Sequence, residues 1–131
     1  MVALNFTTKR DKLEAGIKVR TTREEKGDRL AQLMSAENIE VYWHQRQPDC
    51  VKLFDANPVN CFRLHFDLDP DRGTLWPLSP DGPLPGCSVE DYVREEGFDS
   101  WDELRAWFLG HYGSQLVQKT FFSIKFARKV A

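Results

Sequence analysis

A period of two, recurring along the chain, constrains the fold more than any other feature of this sequence. Val2, Leu4 and Phe6 alternate with Ala3, Asn5 and Thr7, and Ile39, Val41 and Trp43 alternate with Glu40, Tyr42 and His44. Asn60, Phe62, Leu64 and Phe66 alternate with Cys61, Arg63 and His65, and Phe122, Ile124 and Phe126 with Phe121, Ser123 and Lys125. Successive side chains of a strand point to opposite faces, so each stretch reads as a strand with one buried side. The β-branched stretch from Ile17 to Glu24 reads as a further strand. Three helices are expected beside them. One is capped by Thr8, with Asp11 at the capping-box position, and ends at Gly16. One runs from Ser88, paired with Asp91, to Gly97, and one from Ser100, paired with Glu103, to Gly113. Strands and helices do not alternate regularly, which argues against a doubly wound parallel sheet. The expected fold is a small mixed β-barrel of about five to six strands decorated by about three short helices, in the all-β to α+β range.

A chain of 131 residues suits a single domain spanning 1–131, and 41% hydrophobic residues suffice for one core. Residues 67–87 hold five of the seven prolines and read as a Pro-rich insertion. Only Thr74-Leu75-Trp76 within it is expected to pair, as an edge strand, because proline donates nothing to a ladder. No apolar run reaches membrane-spanning length, and the start lacks the basic head and apolar stretch of a signal peptide. A cytoplasmic location without a membrane partner is the expectation. Cys50, Cys61 and Cys87 are odd in number and unpaired in spacing, which argues against a disulfide framework or a zinc site.

The net charge of −2 does not mark a nucleic-acid binder, but the charge is uneven. Residues 1–35 carry eight Lys/Arg against five Asp/Glu, residues 101–131 five against two, and residues 61–100 three against nine. If the two ends of the chain meet, they form a basic surface.

The stretch Ala15-Gly16-Ile17-Lys18-Val19-Arg20-Thr21-Thr22-Arg23, followed by Gly27-Asp28, resembles the signature of ASCH domains. Val41-Tyr42-Trp43 with Cys50-Val51-Lys52-Leu53 resembles the second-strand region of phage and bacterial members. Glu95 to Ser100, Glu103-Leu104 and His111-Tyr112-Gly113 resemble the helical segment of the family. The resemblance covers most of the chain in order, apart from the Pro-rich segment. It implies a PUA-like barrel with a cleft between the early strands and the later helices. Family members are associated with RNA binding, some act as ribonucleases, and one branch hydrolyses N4-acetylcytidine. Carried over to this sequence, the residues of that branch fall on Lys18 as base, Thr21 as nucleophile and Glu96 as acid/base, with Arg23 nearby. Glu96 matches after a one-residue insertion, and Val19 stands where the pattern has its first Thr.

The residues themselves allow this chemistry. A threonine hydroxyl reacts only when a base takes its proton, and a lysine serves as that base only when burial or a nearby cation lowers its pKa. Val89, Val93 and Glu96 recur at helical spacing, which puts Glu96 on the core-facing stripe and turns Glu95 away. Lys18 and Thr21 are an odd number apart, so they share a site only if Lys18 belongs to the turn after Gly16 or a bulge intervenes. The competing reading makes Lys18 and Arg20 solvated edge charges and the threonines β-branched filler.

The expected function is binding of RNA or a (modified) nucleoside, with Arg20, Arg23, Tyr42 and Lys52 as contacts. Hydrolysis of an N4-acylated cytidine is one alternative, and metal-assisted cleavage of single-stranded RNA is another. No cofactor, metal site or DNA partner is expected. Asp67-Leu68-Asp69-Pro70-Asp71 lacks the glycine and terminal glutamate of a calcium loop. Trp101, Trp107 and Phe108 are assigned to the core, and Cys50 to a small buried role.

Overall fold

Among the described residues, the strand signals become six strands in one mixed sheet. The computed structural model describes residues 2–130, so Met1 and Ala131 lie outside the described residues. The strands are β1 (Val2–Phe6), β2 (Arg20–Glu24), β3 (Ile39–Trp43), β4 (Val51–Asp69), β5 (Thr74–Leu78) and β6 (Phe121–Arg128). Their order is β1-β3-β4-β6-β2, with β5 paired to β4. β1 runs parallel to β3, and every other pairing is antiparallel. Among the described residues four α-helices accompany them: α1 (Arg10–Glu14), α2 (Arg29–Met34), α3 (Val89–Glu95) and α4 (Trp101–Tyr112). A 3-10 turn over Gly113–Gln118 leads into β6.

The sheet rolls because its apolar residues pack on both sides. Leu4, Phe6, Ile39, Val41, Phe54, Ala56, Ile124 and Phe126 form one cluster, closed by Leu13 of α1 and Leu33 of α2. Two strands lie between β1 and β6 in the sheet order, yet the rings of Phe6 and Phe126 are 6.1 Å apart. The opposite face carries a second cluster, in which Phe62, Leu64, Phe66 and Phe121 meet Tyr92 and Val93 of α3 and Leu104 and Phe108 of α4. Each such side chain contributes about 1.5–3 kcal/mol when fully buried. β4, 19 residues long, supplies both clusters.

The rolled sheet does not close by backbone pairing. β1 and β2 end the strand order, and no ladder joins them among the described residues. Side chains bridge this seam instead. Arg23 Nη2 donates to the Asn5 carbonyl at 2.6 Å, and Arg29 Nη2 donates to the Ala3 carbonyl. Two outward carbonyls of an edge strand thereby find donors without a neighbouring strand.

Several boundaries differ from the sequence reading. Both serine caps form: Ser88 Oγ accepts from the Asp91 N–H and Ser100 Oγ from the Glu103 N–H. Thr8, in contrast, caps nothing, because Lys9 is the N-cap of α1, in a left-handed conformation. α2 was not expected. Asp28 makes no side-chain cap bond to the helix backbone, although its carboxylate accepts from Gln32 Nε2 at 3.2 Å, and fully buried Leu33 anchors the helix to the core. β2 starts at Arg20 rather than Ile17, since the N–H groups of Ile17 and Lys18 both bond the Lys12 carbonyl and prolong the turn after Gly16. The 67–87 segment is structured. Its first residues finish β4, β5 runs through Pro77 on the sheet edge, and Ser79 bridges Gly82.

Candidate functional site

A cavity of about 290 Å³ opens at the seam, between the start of α1, β2, the end of α3 and one face of α4. Its geometry begins at the C-terminus of α3, where a helix leaves carbonyls without intrahelical partners. Three consecutive ones are captured from outside. The Val19 N–H takes the Glu95 carbonyl at 2.8 Å, Lys18 Nζ takes that of Glu96 at 2.6 Å, and Lys12 Nζ takes that of Gly97 at 2.6 Å. Cations at this end also complement the helix dipole. Gly97, at φ +92°, is required: a Cβ there would lie 3.3 Å from Cβ and Cδ of Lys18.

Lys18 is therefore laid along the helix end with its ammonium buried. Its three protons match three acceptors: the Arg20 carbonyl at 3.0 Å, the Glu96 carbonyl at 2.6 Å and Glu96 Oε2 at 3.2 Å. Burial pushes the Lys18 pKa down, Glu96 opposes this, and Arg23 and Lys9 add to it. Glu96 uses its other oxygen as well, since Thr22 Oγ1 donates to Oε1. The Tyr92 hydroxyl lies 2.8 Å from Thr22 Oγ1, and burial followed by the Glu96 charge raises its pKa well above the ordinary value.

Thr21 and Arg23 occupy the other face of β2. Arg23 Nε donates to Thr21 Oγ1 at 3.0 Å, while Nη2 spans the seam to Asn5. Arg23 and Lys18 both stand over the Phe6 ring, at 5.0 and 5.6 Å. Arg23 has no carboxylate within ion-pair distance among the described residues, and burial pushes its pKa down. Phe98, Trp107, His111 and Tyr112 form an aromatic rim. The Trp107 and His111 rings are parallel, with centroids 5.2 Å apart.

Lys18, Thr21, Arg23 and Glu96 thus line one cavity. The facing problem resolves because Lys18 precedes β2 and belongs to the turn. A direct Lys18–Thr21 pairing is not made: the carboxylate contacts Thr22 and the lysine, while Thr21 contacts Arg23. The remaining expected contacts lie elsewhere. Arg20 points to the α3 side of β2, where it bonds Ser123 and Asn60, stacks on Phe62 and approaches Glu95 Oε2 at 3.7 Å. Glu95 accordingly does not face solvent; it lies between Arg20 and Lys125. Lys52 is held by Glu40 and Asp55, which together raise its pKa, and Tyr42 sits on β3 outside the cavity.

Sequence reasoning did not assign Thr22, Tyr92, Lys9, Phe98 and the α4 rim to the site. Trp107 was assigned to the core but is 42% exposed. Its spacing to His111, four residues on, was the available signal, since such pairs share a helix face. Cys50 is exposed rather than buried, and all three cysteines are free. No group of three His, Cys, Asp or Glu side chains forms a metal-binding set among the described residues. No described helix is long and apolar enough to cross a membrane. Comparison with protein-family models, curated proteins and solved structures gives no match.

Proposed function

We propose that this chain is an ASCH-type domain whose seam cavity takes a single modified nucleoside and hydrolyses an acyl amide such as that of N4-acetylcytidine. The observation that carries this reading is the meeting of Lys18, Thr21, Arg23 and Glu96 in one nucleoside-sized cavity. The chemistry of the lining supports it. Glu96 supplies a buried proton acceptor and donor, Arg23 a cation with Nη1 unused among the described residues, and two threonines supply hydroxyls. Trp107, Tyr112 and Phe98 offer flat apolar faces at the mouth for a base.

The charge pairing favours a small ligand over a long RNA strand. Lys9, Lys12, Arg63, Arg105, Lys119 and Lys125 each meet a carboxylate, which leaves few cations to track phosphates. Free cysteines fit a reducing cytoplasm.

The test is to incubate the protein with N4-acetylcytidine and, separately, with short single-stranded RNA, and to identify products by mass. Release of cytidine and acetate supports the reading, as does calorimetric binding of the nucleoside that changes little with salt. RNA binding that falls steeply with salt, with no affinity for the nucleoside, would favour a strand-binding module instead.

A further inference from the structure

We infer that Thr22, rather than its neighbour Thr21, carries the reacting hydroxyl of this cavity, with Glu96 as its general base and Lys18 as the cation that orients that base. The inference rests on the hydrolytic reading above and assigns its chemistry to particular atoms. A nucleophile needs its proton directed at a base, and the base needs a third group to hold it. Thr22 meets both conditions. Its Oγ1 donates to Glu96 Oε1, and Lys18 holds Glu96 Oε2 at 3.2 Å. A carboxylate only accepts, so the single Thr22 proton is committed to Glu96, and Tyr92 must be the donor in the 2.8 Å contact with Thr22 Oγ1. The phenol thus fixes the rotation of the hydroxyl and aims its proton at the base.

Thr21 lacks such a partner. Its Oγ1 accepts from Arg23 Nε and makes no hydrogen bond to Lys18 or Glu96. Lys18 cannot serve as the base in this arrangement, because three acceptors occupy its three protons and no lone pair is free. Both threonines line the cavity, so access does not separate them; the proton path does.

The reaction then balances on these groups. Glu96 takes the Thr22 proton as Oγ1 bonds to the acyl carbon of the amide, and the carbonyl π pair moves onto the carbonyl oxygen. The carbon–nitrogen bond breaks, the proton passes from Glu96 to the departing amine, and the acyl group remains as an ester on Thr22. Water gives a proton to Glu96 and attacks the ester, and Thr22 Oγ1 leaves with that proton. Amide and water become amine and carboxylic acid.

The experiment uses the full chain and N4-acetylcytidine, with acid-quenched reactions mapped by fragmentation mass spectrometry. The acetyl group is expected on residue 22. Thr22→Ala should lose turnover by about a thousandfold or more, while Thr22→Ser keeps both turnover and the acetyl mark. The serine variant also answers the case in which the alanine variant fails to fold, since it retains the hydrogen bonds. Thr21→Ala is expected to slow turnover through Arg23 and still acetylate residue 22. Acetylation of Thr21, or a folded Thr22→Ala enzyme within about tenfold of the wild type, overturns the inference and leaves the hydrolytic reading intact. Turnover with neither threonine acetylated, and with both alanine variants near the wild-type rate, does the same and points to direct attack by water. A wild type that shows neither calorimetric binding nor turnover of the nucleoside overturns the reading and the inference together.

Discussion

The buried pair of Lys18 and Glu96 can be weighed by a double-mutant cycle of Lys18→Met and Glu96→Leu. Both residues are nearly inaccessible, at 5% and 3% exposure. Removing the carboxylate strands an ammonium with only two carbonyls; removing the lysine strands a carboxylate with only Thr22. Breaking one half of such a pair costs about 3–5 kcal/mol, a large part of the total of about 5–15 kcal/mol typical of a small domain. If the effects were independent, the double variant would lose about 6–10 kcal/mol. It should lose less, by about 3 kcal/mol, because no uncompensated charge remains. What persists is the loss of donors at the Arg20 and Glu96 carbonyls and of an acceptor for Thr22, at about 1–3 kcal/mol per unsatisfied group. A coupling energy near 3 kcal/mol is expected from urea unfolding followed by circular dichroism. Losses that add to within about 0.5 kcal/mol would refute the idea that the two charges compensate each other.

Two further outcomes are expected. Burial lowers the Lys18 pKa, so the folded state binds fewer protons than the unfolded chain once pH exceeds the folded value. Stability of the wild type relative to Lys18→Met should therefore rise as pH climbs from that depressed value toward the ordinary 10.5, and a flat or falling difference across unfolding curves would count against a buried ammonium. Gly97→Ala should destabilise the protein by about 1–3 kcal/mol and lower its melting temperature, because the backbone is left-handed there and a new methyl would meet the Lys18 stem. Unchanged melting would show that the close approach of α3 and Lys18 is not required.

The strands were legible because one-sided burial imposes a period of two, and the alternations at Leu4/Phe6, Ile39/Val41 and Ile124/Phe126 all fall inside the first cluster. The elements that escaped the reading are those held by distant contacts. α2 has no side-chain cap and is fixed by the burial of Leu33. β4 extends well before Asn60 because β3 lies beside its first half, across Val51 to Ala56. In the site, the stripe of Val89, Val93 and Glu96 indicated the inward carboxylate, and Glu96 is indeed buried. Helical spacing could not show where Glu95 goes, because its partners Arg20 and Lys125 come from β2 and β6. The Thr22–Glu96 bond was equally hidden. It depends on α3 covering the face of β2 that bears Arg20 and Thr22, a placement no local pattern encodes.

The length of β4 has a consequence for how the molecule opens. Its first half supplies Phe54 and Ala56 to one cluster and its second half supplies Phe62, Leu64 and Phe66 to the other. The two cores are therefore mechanically in series on a single strand. The β3 and β6 ladders meet on β4 at Ala56, which pairs with both, so opening of one ladder through that residue reaches the other. Such a layout leaves little room for a partly unfolded species that keeps one core and sheds the other. Amide hydrogens along the middle of β4 should exchange only through opening of the whole domain, as one cooperative unit.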